Sequence, residues 1–355
     1  MLINISGRTD IVSVYPTWMF NRFEEGFAYS RNTIYPTSVR RYELVPDKVD
    51  CLLFCSKNYL PVLDRINQIT ERFHTYFCYT ITAYGKDVEP GVPDIETSIQ
   101  ALFELERIVG SGRIAWRYDP VLLTSEYTIE RHLDTFEWMC DRLHGHVDRC
   151  IFSFVEMYAR HATYFPELIA MTEDEKDVLA RGLGQIAAKY GMPIQTCGNE
   201  ADYSRYGISG SGCVTLDMLG KANGIVFRTL KHQGCRKGCH CMASRDIGLK
   251  DSCINGCKYC YANRNAARVA ENYRLHDPDS PLLIGHLKPT DKLEPGSQKS
   301  FLVRWGRVVP RLTCGGSDGV AGICREARWM ALRVGVVKNW SISKTQGTSS
   351  SMLVR

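Results

Sequence analysis

Three cysteines close to residue 255 have the spacing of a shared inorganic site. Cys253, Cys257 and Cys260 form a C-x3-C-x2-C pattern, and Tyr259 stands just before the last of them. Short spacings let several thiolates of one loop reach a common metal or cluster. Iron–sulfur clusters are held mainly by cysteine thiolates. Three ligands on a four-iron cube leave one iron open, and an open iron can do chemistry. A closed zinc site is the alternative; it needs a fourth ligand, which Cys239 or Cys241 could supply. Spacing by itself admits both.

The rest of the composition narrows the setting. The chain has 355 residues and 15 cysteines, six of them between Cys235 and Cys260. An odd, clustered set of thiols favours metal binding over a disulfide framework, as in a reducing compartment. No apolar run approaches the length of a membrane span, and Arg8 and Asp10 come too early for a secretory leader, so a cytoplasmic protein is the expectation. The net charge of +5 is unevenly placed. Residues 301–355 carry nine basic and two acidic side chains, or +7, which leaves −2 for residues 1–300. The main body therefore lacks a broad electrostatic footprint for nucleic acid.

The elements that must position the cysteines read as alternating strands and helices. Met1–Ser6, Cys51–Ser56, Tyr76–Ala83, Arg113–Tyr118, Cys150–Val155 and Pro193–Cys197 are short apolar runs. Asp94–Val109, Glu126–Leu143 and Thr172–Tyr190 have helical spacing; Ile95, Ile99, Leu102, Leu105, Ile108 and Val109 form one stripe of the first, and Thr172 is the N-cap of the last. This alternation predicts an α/β fold with a parallel (β/α) barrel, complete or partial; a doubly wound open sheet has the same periodicity. Polar residues gather after the strands: Arg8 and Asp10, Lys57, Arg117 and Asp119, and Glu156. The C-terminal ends of barrel strands are where catalytic groups stand, so these six are pocket candidates. Salt bridges closing the barrel end would use the same residue types. Gly207, Gly210 and Gly212 run in the order G-x-x-G-x-G with no clear strand before them, and read as loop, not as a dinucleotide fingerprint. His144 and His146 flank a glycine and read as a surface turn.

The stretch "CINGCKYCYAN", Cys253 to Asn263, resembles the signature loop of radical SAM enzymes, including the aromatic Tyr259. "SGRTDI", "VDCLLFCSKN", "TITAYGKDVEPGVP", "AWRYDPVLL" and "CHCMASRDIG" extend the likeness to an uncharacterised bacterial family, classed as a domain of unknown function, over about residues 1–290. The resemblance implies a [4Fe-4S] cluster on Cys253, Cys257 and Cys260, S-adenosylmethionine (SAM) chelated to the free iron, and its reductive cleavage to a 5′-deoxyadenosyl radical. It also implies Tyr259 beside the adenine and a reducing partner such as ferredoxin or flavodoxin. This chain departs from that pattern twice: the loop follows the strands instead of preceding them, and no Gly-Gly-Glu segment follows a second strand. SAM use thus rests on the triad.

Cys197, Cys213, Cys239 and Cys241 lie in segments covered by the same resemblance and are candidates for a second site, an auxiliary cluster or zinc. Cys235 has a weaker claim, and His240 is a substitute ligand. Cys51, Cys55, Cys78, Cys140 and Cys150 have apolar neighbours and read as core. The organisation expected is a barrel body over 1–205, a cysteine-rich cluster-binding region over 206–290 packed on it, and a basic tail over 291–355, extended or disordered. Trp305, Trp329 and Trp340 lie among that tail's arginines; an RNA contact, an extension or an aberrant chain end each fit. Two functions of other classes share these features: a structural zinc-binding protein without catalysis, and a nucleic-acid modification or repair enzyme using the same cluster. No membrane partner is expected.

Overall fold

The computed structural model describes residues 1–233 and 238–303. Strand β1 (Leu2–Asn4) opens the chain, followed by helices α1 (Ile11–Val14) and α2 (Pro16–Glu25) and the antiparallel pair β2 (Phe27–Arg31) and β3 (Ser38–Glu43). Next come β4 (Cys51–Ser56), α3 (Asn67–Thr70), β5 (Thr75–Thr80), α4 (Ile95–Val109), β6 (Ile114–Val121) and α5 (Ile129–Leu143). They lead to β7 (Arg149–Phe154), α6 (His161–Tyr164), α7 (Glu173–Lys189) and β8 (Ile194–Thr196). The last elements are α8 (Leu216–Asn223), β9 (Arg245–Asp246), α9 (Ala266–Arg274) and β10 (Lys292–Pro295).

Seven strands form one parallel sheet in the order β8-β7-β6-β5-β4-β1-β9. From β1 to β8 the sheet order follows the chain order, which is barrel winding and not the reversal of a doubly wound sheet. The sheet stays open: among the described residues, no pairing joins β8 to β9. The complete barrel is thus replaced by an open α/β sheet. Its outermost strands are three and two residues long, too short to carry a closing ladder. A second sheet, β10-β3-β2, was not foreseen, because "SVRRYE" in β3 carries more charge than a strand usually shows. The fold includes residues 292–303 of the segment expected as a tail; Trp305, Trp329 and Trp340 lie outside the described residues.

Strand residues alternate between two cores, as the two-residue period demands. Leu52, Phe54, Phe77, Tyr79, Trp116 and Phe152 face the helices α1, α2, α4, α5 and α7. Cys51, Leu53, Tyr76, Cys78, Ala115 and Ile151 face the other way, onto α8 and the cysteine-rich segment. Both faces are covered, so the strands read as nearly continuous apolar runs. The helix starts follow local chemistry. Thr172 caps α7 with a full capping box to Glu175, and Asp94 and Thr128 cap α4 and α5. The stripe of α4 packs inward except at Ile108, which is 39% exposed.

A buried histidine makes the fold sensitive to acid. His132 on α5 donates from Nε2 to the Leu122 carbonyl at 2.7 Å and accepts the Tyr118 hydroxyl at Nδ1, 2.8 Å away. Burial lowers its pKa from the ordinary 6.5 to about 4. The unfolded chain takes up a proton below about 6.5 while the folded chain does not. Stability from this residue is therefore complete above pH 6.5 and is lost as pH falls towards 4, reaching about 2 kcal/mol at pH 5. Urea midpoints measured from pH 7 to pH 4.5 should fall accordingly, and His132→Gln should flatten that part of the profile.

Candidate metal centres

The triad loop is tied at its base. Asp251 adopts φ 57°, and its carboxylate accepts the backbone N–H groups of Arg264 and of Asn265, the latter at 3.2 Å. Asn263 donates to the Cys253 carbonyl at 2.6 Å and Asn272 to the Asp251 carbonyl at 2.7 Å. The loop then docks on segments that leave the strands at their C-terminal ends. Tyr15, after β1, donates its hydroxyl to the Ser252 carbonyl at 2.5 Å. After β5, Gly91 N–H donates to the Asn255 carbonyl at 2.9 Å, and the Val88 carbonyl accepts from Lys258 N–H at 3.0 Å. A Cβ on Gly91 would lie 2.7 Å from the Asn255 Cα, so only glycine permits this approach. Arg160, after β7, donates to the Cys260 carbonyl at 2.7 Å.

The pocket candidates divide. Arg8 does not pair with Asp10; it turns to Asp246 in β9 at 3.3 Å. Asp10 caps α1 through Ser13, takes the Ser56 hydroxyl at 2.7 Å and the Lys57 N–H at 2.9 Å, and lies 3.4 Å from the Asn255 amide of the triad loop. Its pKa is raised by burial, against the lowering effect of those bonds. Lys57 pairs with Glu89 at 2.9 Å; Glu89 is buried and Lys57 is 13% exposed. Glu89 also accepts the hydroxyls of Thr82, at 2.9 Å, and of Tyr259. Burial works against the Lys57 charge, but Glu89 and Cys257 more than offset it, so its pKa is raised. Arg117 pairs with Asp119, which also takes the Ser153 hydroxyl, and donates to Cys55 Sγ at 2.8 Å. Glu156 stands apart on the surface, accepting from Tyr158 at 2.8 Å. Asp10, Lys57, Arg117 and Asp119 are thus gathered at the strand ends; Arg8 and Glu156 serve elsewhere. Glu89, the hub of the triad's surroundings, was missed, since an acid before a proline reads as loop chemistry.

Burial pushes the Cys253 thiol up to about 12, and burial and then Glu89 push Cys257 well above the ordinary range, with Lys57 opposing. A metal entering this site must displace protons.

The second group converges from three segments. Cys197 follows β8, Cys213 precedes α8, and Cys239 and Cys241 lie on the strand-like return before β9. The sulfurs of Cys197 and Cys213 are 3.0 Å apart, those of Cys213 and Cys241 3.5 Å, and those of Cys197 and Cys241 4.0 Å. Cys239 is within hydrogen-bonding reach of Cys197 and Cys241. Hydrogen bonds with Cys197 and Cys241 hold Cys213 well below the ordinary thiol range, and Arg117 acts in the same direction. Among the described residues, Cys197, Cys213 and Cys241 are the only set of three or more His, Cys, Asp or Glu whose donor atoms all lie within 4.8 Å of one another; Cys239 stands beside this set and not within it. The sulfurs of Cys253, Cys257 and Cys260 therefore stand more widely apart. His240 is exposed; its carbonyl accepts from His232 at 2.7 Å, and its ring stands edge-on to the His232 ring with centroids 6.5 Å apart. Cys235 lies outside the described residues. Cys51, Cys78, Cys140 and Cys150 are buried. His144 bonds the Cys140 carbonyl and His146 pairs with Glu106.

Residues 2–262 match the family described as Domain of unknown function (DUF1848). The chain belongs to this family. The DUF1848 match starts at β1 and ends two residues past Cys260, so both cysteine groups fall inside it. No curated protein and no solved structure matches the chain. Among the described residues, no helix is long and apolar enough to cross a membrane.

Proposed function

We propose that this DUF1848 chain is an iron–sulfur enzyme of radical SAM type, with a [4Fe-4S] cluster on Cys253, Cys257 and Cys260. The observation that carries this reading is the seat of the triad loop: it lies across the C-terminal ends of strands wound in barrel order, the face where such folds place their chemistry. The donor set fits a cluster. Three thiols come from one loop, are free of disulfides, and do not all lie within 4.8 Å of one another. When bound, such a cluster supplies the electron that splits the sulfonium of SAM.

The chain's own residues have distinct tasks in this reading. Lys57 holds a positive charge beside Cys257, which favours a site of thiolate ligands. Glu89 fixes both Lys57 and Tyr259, so the ring next to the third cysteine cannot swing away. Asp10, bonded to Asn255 within the loop, keeps a carboxylate beside the triad. Ser56-Lys57-Asn58 follows the second strand of the sheet, in place of a Gly-Gly-Glu segment. Arg117 and Asp119 supply a cation and an acceptor at the strand ends, where a substrate would lie; a ferredoxin or flavodoxin would deliver the electron.

Anaerobic purification with iron and sulfide analysis, followed by EPR of the reduced protein with and without SAM, tests the proposal. About four irons per chain and a signal that shifts with SAM are expected. A chain that takes up no iron after anaerobic reconstitution would sink it.

A further inference from the structure

We propose that Cys197, Cys213, Cys239 and Cys241 hold one zinc ion in a closed structural site, separate from the triad and independent of the reading given to it. The geometry distinguishes one ion from a cluster. With Zn–S bonds of about 2.3 Å in a tetrahedron, thiolates sharing an ion lie about 3.8 Å apart. The sulfur separations of 3.0, 3.5 and 4.0 Å bracket that edge. Ligands on different irons of a cluster point outward and stand further apart, as the triad's sulfurs do.

The site is built by close backbone packing. A glycine adjoins three of the four ligands: Gly198 with φ 69°, Gly212, and Gly238 with φ 72°. A Cβ on Gly212 would fall 2.6 Å from the Cys241 nitrogen, and one on Gly238 would fall 2.9 Å from the Asn199 carbonyl oxygen. These approaches hold the Cys213 and Cys241 segments together, and Met242 N–H bonds the Val214 carbonyl at 3.0 Å beside them. Four thiolates leave no position for a substrate, which marks the site as structural.

The fold gives the ion a task. The segment from Cys213 to Ala243 covers the inner face of the sheet, yet α8 is its only helix among the described residues. A metal that ties it to the end of β8 adds stability that this small apolar cluster lacks. Four thiolates on a divalent ion leave a net negative site. Arg117, beside Cys213 and bonded to Cys55, is a half-buried cation that offsets part of that charge.

The test uses the full chain purified anaerobically. Wild type and the triple variant Cys253→Ala/Cys257→Ala/Cys260→Ala should each carry about one zinc. The double variant Cys197→Ser/Cys213→Ser should lose zinc while keeping its iron. Should that variant fail to fold, zinc-edge absorption spectroscopy on the wild type decides: four sulfur neighbours at about 2.3 Å are expected. Zinc absent from the wild type, a single iron in its place, or iron lost together with the quartet would overturn the proposal. If the radical reading fails, the wild type contains zinc and no iron; if this one fails, it contains iron and no zinc.

Discussion

Cys257→Ala is expected to leave a folded chain that has lost its cluster iron and every SAM-dependent EPR signal. The loop should stay in place because backbone groups dock it: Lys258 N–H on the Val88 carbonyl and Gly91 N–H on the Asn255 carbonyl need no thiol. The thiol itself lies beside Lys57 and Glu89, with Cys253 and Cys260 as the neighbouring thiols. Two cysteines cannot hold a four-iron cube. Iron should therefore fall to about a tenth of the wild-type content or less, with zinc unchanged. The apo chains should differ by only about 1 kcal/mol in urea unfolding, since the deleted group is small. Full iron retention by this variant would exclude the triad as the cluster site.

Arg117→Ala is expected to destabilise the fold by about 3 to 5 kcal/mol, the cost of breaking an interior ion pair from one side. Arg117 and Asp119 are 21% and 16% exposed, and Asp119 has no second basic partner at salt-bridge distance among the described residues. Removing the guanidinium leaves that carboxylate with hydroxyl partners only and strips Cys55 and Cys213 of their cation. The double variant Arg117→Met/Asp119→Asn should recover much of the loss, because it leaves no uncompensated charge. Urea denaturation of the two proteins checks this. A loss below about 1 kcal/mol in the single variant would mean that Asp119 does not depend on Arg117.

The strands and long helices were legible because their signals are local. Cys51–Ser56 is a strand with the predicted bounds, and α4, α5 and α7 begin next to their capping residues, Asp94, Thr128 and Thr172. The hairpin β2–β3 and its partner β10 were not legible: every residue of Lys292–Pro295 is exposed, and its register is set by Ser38–Arg41, some 250 residues away. The pairing of Arg8 with Asp246 is of the same kind. Nearness in sequence suggested Asp10, but the side chain follows the strand that the fold lays beside it.

The sequence by itself singled out two groups of cysteines as candidates for metal, since thiols at short spacing carry that suggestion in residue type and distance along the chain. It also determined that strands and helices alternate, but their winding, which a doubly wound sheet shares in periodicity, was decided by the strand order of the structure. Only the tertiary structure decided that the triad loop lies over the strand ends, that Glu89 is its charged neighbour, and that Cys197 and Cys213 meet Cys241 at distances suited to one ion. Those are contacts between segments up to 245 residues apart, several of them made by backbone approach at Gly91, Gly212 and Gly238. A glycine in a sequence permits such an approach; the partner it admits is fixed by the packing of the whole chain.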